Sequence, residues 1–361
     1  MENLRELRQP RRFPAVSVVM PTHRTRPENQ QDKVRLKVLM EEARRRLEGM
    51  DLERGMAEEV LEALGKAAGQ VDFQHVAEGL VLLAAPGGES HTYVLPRVNV
   101  AERVVIDDTF ATRDLVALQE ITWKYWVVVL SEQPSRLWSG EGEQLTQVAN
   151  ALFPMKFEDS LPDERGMPPT QRQQFRIQDD RRMQFFREVE RNLTEILKRD
   201  PRPVIILGVP RYLAYFNDLA GGPVADALIG TVEGSHDTAS GYEIGDLVAP
   251  VLAAEHTAAQ RRALAELDAA RSSRRFAGGL AEIWELAAQG RVDHLLVEEG
   301  YFAPARIRDG RLFPSSSSEG KPVQDAIDDL IEAVLERSGR VTLVADDSLT
   351  AERRVAAVLR Y

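Results

Sequence analysis

Residues 280–297 read LAEIWELAAQGRVDHLLV, and residues 326–345 read AIDDLIEAVLERSGRVTLVA. In each, apolar residues at helical spacing run toward a glycine, Gly290 or Gly339, and a short apolar run follows, Val292–Val297 or Val341–Ala345. A glycine just past a helix ends it because glycine enters the left-handed region without a Cβ penalty. A continuous apolar run of that length reads as a strand covered on both faces. Two helix-then-strand units in succession predict parallel strands layered between helices, an α/β fold.

The same reading extends upstream. Val16–Met20, closed by Pro21, predicts a buried strand that delivers the loop Pro21-Thr22-His23-Arg24-Thr25-Arg26-Pro27. Asn29–Glu48 has helical spacing, as does Met56–Ala68, and Gly79–Ala85 and His91–Leu95 form a hairpin about Pro86-Gly87-Gly88. Tyr125–Leu130 and Arg136–Trp138 open a second mixed unit. From 158 to 178 the chain shows no period, which predicts a long central loop; Asp179 then starts a helix to about Lys198 with an N-cap pair, Asp179-Asp180. Pro203–Val209 is a strand, Gly221–Ile229 a helix, Asp246–Ala270 one long or two consecutive helices, and Ser315–Ser318 a loop tip. The domains expected are 1–124, 125–250 and 251–361.

A chain of 361 residues is long enough for two or three cores, and 43% hydrophobic with 29% charged residues is ordinary globular composition. The absence of cysteine excludes disulfides, thiolate metal clusters and cysteine nucleophiles. No apolar run reaches the roughly 20 residues that span a bilayer, and the short run before Pro21 is no secretory signal, so the chain reads as cytoplasmic. The net charge of −11 hides a gradient: residues 1–46 hold twelve Lys or Arg against six acids. A basic end on an acidic body suggests one face turned to an anion. Against this stands the plainer reading that the arginines pair with helix carboxylates on a solvated face.

Several chemistries find no support. There is no phosphate-cradling G-x-x-x-x-G-K-[ST] loop, Gly140-Glu141-Gly142 is only a fragment of a dinucleotide fingerprint, and there is no G-x-S-x-G elbow. Gly234-Ser235-His236-Asp237 writes a triad in order, but adjacent side chains diverge and cannot form the relay. The six histidines show no metal-ligand spacing, and His75 and His294 read as structural. No cofactor is expected. The acid pairs at Asp107-Asp108, Asp179-Asp180, Asp328-Asp329 and Asp346-Asp347 suit helix starts and turns, although middle-domain carboxylates holding a divalent metal would make a nuclease or hydrolase the competing reading. A scaffold protein on a borrowed fold is another.

Phe276-Ala277-Gly278-Gly279-Leu280, Arg291-Val292-Asp293-His294-Leu295-Leu296-Val297, Ser338–Val344 and the closing Val355–Tyr361 resemble the last domain of the eukaryotic and archaeal peptide-chain release factors and of pelota, the closing stretch looking like that family's final strand, helix and terminal A-x-L-R-Y. Pro21-Thr22-His23-Arg24 followed by Gln31-Asp32-x-x-Arg35-Leu36-Lys37 resembles the bacterial archaeo-eukaryotic release-factor-like family, third group. The resemblance implies a three-domain, tRNA-shaped release-factor/pelota-like architecture, with an RNase H-like middle domain and a ribosomal L7Ae/L30e-like α/β/α C-terminal domain. It also implies a ribosomal A-site ligand, its first domain toward the decoding centre and its middle domain toward the peptidyl transferase centre. True release factors carry Gly-Gly-Gln in the central loop; here the Gly-Gly pairs at 87, 221 and 278 are followed by Glu89, Pro223 and Leu280. The central loop instead holds Pro168-Pro169-Thr170-Gln171, and prolines remove the freedom that paired glycines supply.

The function expected is therefore a non-catalytic, ribosome-binding factor for stalled or idle ribosomes, in rescue or hibernation. Arg24, Arg26, Lys33, Arg35 and Lys37 are expected on rRNA phosphates and His23 on a base. Arg165, Gln171, Arg172, Gln173, Gln174 and Arg176 are expected to contact RNA from the central loop. The resemblance adds a translational GTPase of the elongation factor Tu type as partner.

Overall fold

The computed structural model describes residues 4–98, 100–157, 171–314, 321–323 and 325–361. The chain divides into two compact units, one formed by Met1–Ile121 with Ala259–Tyr361, the other by Thr122–Ala258.

In the first unit, α1 (Leu4–Leu7) precedes β1 (Ala15–Pro21), α2 (Asn29–Glu48), α3 (Met56–Gly69), β2 (Gly79–Ala85), β3 (Glu89–Leu95), β4 (Arg103–Asp107) and α4 (Arg113–Ile121). The strands form an antiparallel sheet in the order β3-β2-β1-β4. Gly87 and Gly88 turn the β2–β3 hairpin with φ of 89° and 75°, a pair of left-handed positions that side chains resist. Alternation along β1 sends Val16, Val18 and Met20 against Leu36, Leu39, Val60 and Leu64 of α2 and α3. It sends Ala15 and Val19 into a different core. There they join Val81, Leu83, Phe110 and Leu115, and also Ile283, Leu295, Ile327, Leu330 and Ile331 from the far end of the chain.

The second unit holds β5 (Lys124–Val129), β6 (Arg136–Glu141), β7 (Gln144–Val148), α5 (Gln171–Arg199), β8 (Val204–Gly208), α6 (Pro210–Leu219), α7 (Gly222–Ala227) and β9 (Leu228–Glu233). The order β7-β6-β5-β8-β9, an antiparallel meander continued by two parallel pairings, is that of the RNase H-like sheet expected. Phe186, Val189 and Leu193 of α5 cover one face with Phe216 of α6, and Ile244 and Val248 cover the other.

Those last two belong to α8 (Gly241–Ser272), a single 32-residue helix with Pro250 inside it, which enters the first unit at Ala259. There Ala263, Leu267 and Ala270 cover one face of the C-terminal sheet. That sheet runs β10 (Phe276–Gly278), β16 (Val355–Leu359), β11 (Val292–Glu298), β15 (Arg340–Val344), with β11 and β15 parallel as predicted. The helices α9 (Leu280–Ala288) and α10 (Ala326–Glu336) cover its other face, giving the expected α/β/α layers. A small sheet of β12 (Ala305–Arg308), β13 (Arg311–Pro314) and β14 (Lys321–Val323) intervenes. His294 is buried as a structural histidine, Nδ1 3.0 Å from Glu266 and Nε2 2.9 Å from the Thr342 hydroxyl, and burial lowers its pKa.

Four sequence expectations are corrected. The predicted central loop is helical from Gln171, because the run from Gln171 is dominated by Gln and Arg, good helix formers, with only scattered apolar residues before Phe185. Asp179-Asp180 accordingly lies inside α5 and is not its N-cap. The helix expected over Gly221–Ile229 ends at Ala227 and becomes β9, whose parallel pairing with β8 no local signal encodes. The closing helix is a single 3₁₀ turn, Thr350–Glu352, before strand β16. Ser315–Ser318 lies outside the described residues.

Candidate nucleic-acid interface

The loop after β1 is tied down at both ends. Thr22 is buried, donating its N–H to the Glu78 carbonyl at 2.9 Å and its hydroxyl to the Ala77 carbonyl at 2.8 Å. His23 donates its backbone N–H to Asp32 Oδ2 at 2.8 Å, and its ring Nδ1 lies 3.0 Å from Asp32 Oδ1. Asp32 is fully buried in the first turn of α2, where the helix dipole favours a carboxylate, and it accepts a further bond from Arg35 Nη1 at 3.1 Å. Asp32 was not among the residues singled out by charge or aromaticity; Gln31-Asp32-x-x-Arg35 contained it, but its partner nine residues earlier is set by tertiary folding.

The basic segment is less free than its composition suggests. Arg24 pairs with Glu78 at 2.9 Å, Arg35 with Glu102 at 2.5 Å, Arg11 with Glu89 at 2.8 Å and Arg12 with Glu53 at 2.5 Å. Arg8 is buried, and Arg44 and Arg46 pair with Glu41 and Glu42. The pairing alternative thus describes much of the segment. Exposed and without an ion pair among the described residues are Arg26, Lys37 and Arg45; Lys33, also exposed, lies 5.6 Å from the Phe73 ring centroid and interacts electrostatically with Asp72. Lys33, Lys37 and Arg45 lie on the outer face of α2 with Val34 and Val38, which are 63% and 62% exposed.

Of the central set, Arg165 lies outside the described residues, and Gln171, Arg172, Gln173, Gln174 and Arg176 fall within α5 and not in a loop. These positions belong to the second unit and His23–Lys37 to the first. Beyond them, α5 meets the carboxyl end of β5 through Glu132, which accepts Arg182 Nε at 2.7 Å and the Tyr212 hydroxyl at 2.6 Å. Burial and that carboxylate push the Tyr212 phenol up to about 12. Asp179 is held by Arg182 and Arg211, and among the described residues no three acids or histidines gather as metal ligands. Ser235 donates to Asp237 at 3.0 Å while His236 Nε2 faces the Glu233 carbonyl at 3.4 Å, so the three do not form a relay. No described helix is long and apolar enough to cross a membrane.

Fold and sequence together define an α/β chain whose middle part resembles a release-factor family. Residues 124–291 match the family described as Bacterial archaeo-eukaryotic release factor family 3, bearing out the resemblance over that segment. No curated protein matches. Among solved structures, Archaeoglobus fulgidus Pelota is similar at 16% identity over 78% of this chain and 79% of that one, with a TM-score of 0.38. Saccharomyces cerevisiae Dom34, a translation termination-like factor interacting with Hbs1, is similar at 12% identity over 76% and 74%, with a TM-score of 0.40. A ribosome-bound archaeal Pelota with ABCE1 is similar at 13% identity over 99% and 92%, with a TM-score of 0.44.

Proposed function

We propose that the chain is a non-catalytic factor that enters the A site of stalled or idle ribosomes, in rescue or hibernation, in the cytoplasm. Its first segment faces the decoding centre and its middle segment the peptidyl transferase centre, with Arg165 and the Gln171–Arg176 stretch near RNA. A translational GTPase of the elongation factor Tu type meets its last segment. The observation that carries the reading is the family match over 124–291 on a chain without Gly-Gly-Gln. The partnerless cations of the loop and α2, beside a His23 held on Asp32, supply the rRNA contact.

The test is co-sedimentation with 70S ribosomes across a salt series, with and without the GTPase. Each phosphate contact adds about one to the log–log salt slope. Arg26→Glu with Lys37→Glu is expected to weaken association more than tenfold and to flatten the slope by about 2. Arg24→Ala is expected to do less, since Glu78 already engages that guanidinium. Undiminished association of the double variant would remove this surface from the interface.

A further inference from the structure

Every cation around the loop can only donate hydrogen bonds, and RNA phosphates can only accept them. His23 is different. Asp32, a buried carboxylate, takes the His23 backbone N–H, Arg35 Nη1 and the ring Nδ1 at 2.8, 3.1 and 3.0 Å. A carboxylate accepts only, so the ring hydrogen resides on Nδ1, an assignment made from the bonding network. In the singly protonated ring Nε2 then carries a lone pair. Turning the ring over would present Cδ2 to Asp32 in place of Nδ1, and the buried Thr22 with the His23 N–H fixes the backbone from which the ring projects. The side chain is 36% exposed, and Nε2 has no partner among the described residues.

We propose that His23 Nε2 is a fixed acceptor subsite for a neutral hydrogen-bond donor of RNA, a ribose 2′-hydroxyl or a base amine. The proposal rests on the functional reading above and sharpens it. Phosphate contacts position a protein on RNA without reading it, whereas the 2′-hydroxyl and base edges carry the information. A neutral Nε2 offers a phosphate nothing, so its contact belongs to the second kind. Arg26, Lys33 and Lys37, exposed on the same loop and the helix that follows it, would hold the flanking phosphates.

The experiment is chemical footprinting of 70S ribosomes. A 2′-hydroxyl acylating reagent and dimethyl sulfate form its two arms, with wild type, His23→Phe and His23→Gln each at saturation. Phenylalanine keeps a stacking ring and loses the acceptor; the glutamine carbonyl restores one. Wild type and His23→Gln are expected to protect a nucleotide that His23→Phe leaves reactive, the rest of the footprint being shared. The affinity of His23→Phe is expected to fall about threefold to tenfold, the worth of one hydrogen bond. Protection lost in the acylation arm assigns the 2′-hydroxyl, and in the dimethyl sulfate arm a base edge. An unchanged footprint and affinity for His23→Phe would overturn the subsite while leaving ribosome binding intact. Failure of wild type to co-sediment, or a footprint confined to ribosomal protein, would instead remove the functional reading and this subsite with it.

Discussion

Asp32 shows how one buried carboxylate can set the geometry of the residues around it. Replacing it with alanine strands the His23 N–H, the ring Nδ1–H and Arg35 Nη1 at once. These donors are partly buried and Arg35 keeps Glu102, so leaving them without Asp32 costs about 1 kcal/mol in total. Asp32→Ala should therefore lower the unfolding free energy measured in urea by that amount, and Asp32→Asn, which keeps one acceptor, by less; an unchanged free energy would mean the loop is not anchored there.

A second carboxylate acts on stability through protonation. Asp328 is buried, accepting the Thr112 and Arg113 N–H groups at 3.0 and 2.7 Å where α4 begins, and the Thr112 hydroxyl reaches Glu332 at 3.3 Å. Arg113 pairs with Asp325, Arg103 with Asp114, and Arg8 faces both Asp328 and Glu332. Burial, then the neighbouring carboxylates, raises both groups, Asp328 to about 7. Glu332, with only a hydroxyl and Arg8 opposing, is the one held neutral at pH 7. A folded pKa above the unfolded value means that the native state binds the proton more tightly, so the stabilisation is full below about pH 4 and is lost as pH rises through about 7. Relative to Asp328→Asn, wild type should lose at least about 1 kcal/mol of unfolding free energy between pH 5 and pH 8. A pH-independent difference would contradict the assignment.

At the scale of elements, legibility followed locality. The β2–β3 hairpin, α2, α3 and the helix-then-strand units of the C-terminal sheet were readable because glycine punctuation and apolar period lie within a few residues. The start of α5, the switch from α7 to β9 and the mini-sheet β12–β14 were not, because polar helical turns and edge strands owe their form to distant partners. His23, Arg26, Lys33 and Lys37 were legible as surface chemistry; the pairing of Arg24 with Glu78 and of His23 with Asp32 was not, each joining residues that only the sheet or the helix start brings together. Gly140 belongs to this hidden class. It faces Tyr125 across the β5–β6 ladder, and a Cβ there would lie 2.3 Å from the ring of that fully buried tyrosine, whose hydroxyl donates to the Gly142 carbonyl at 3.0 Å. A glycine under an aromatic ring lets the ring lie flat on the sheet. Gly140→Ala should cost about 1–3 kcal/mol through displacement of Tyr125. Urea unfolding would register it, and a variant of wild-type stability would show that the ring moves without penalty.

For the whole molecule, the decisive feature is that one core draws on both ends of the chain. Val19, Val81 and Leu83 of the first sheet share a cluster with Ile327, Leu330 and Ile331 of α10, and Leu295 and Val297 of β11 complete it. The contact is closed at its edge by Asp328 on the first N–H groups of α4. Residues 122–258 meanwhile possess their own clusters on both faces of their sheet. Cooperative opening units follow contiguous cores and need not follow the order of the chain. Leu330→Ala removes a fully buried side chain and should destabilise its unit by about 2–5 kcal/mol. In hydrogen exchange, amides of β1 and β2 should lose protection together with those of β11 and β15, although β1 and Leu330 are far apart in sequence, while amides of β5 and β8 keep theirs. If β1 and β2 stayed protected while the C-terminal sheet opened, the two ends would be separate cooperative bodies, and the cluster between them would be a contact surface and not a shared core.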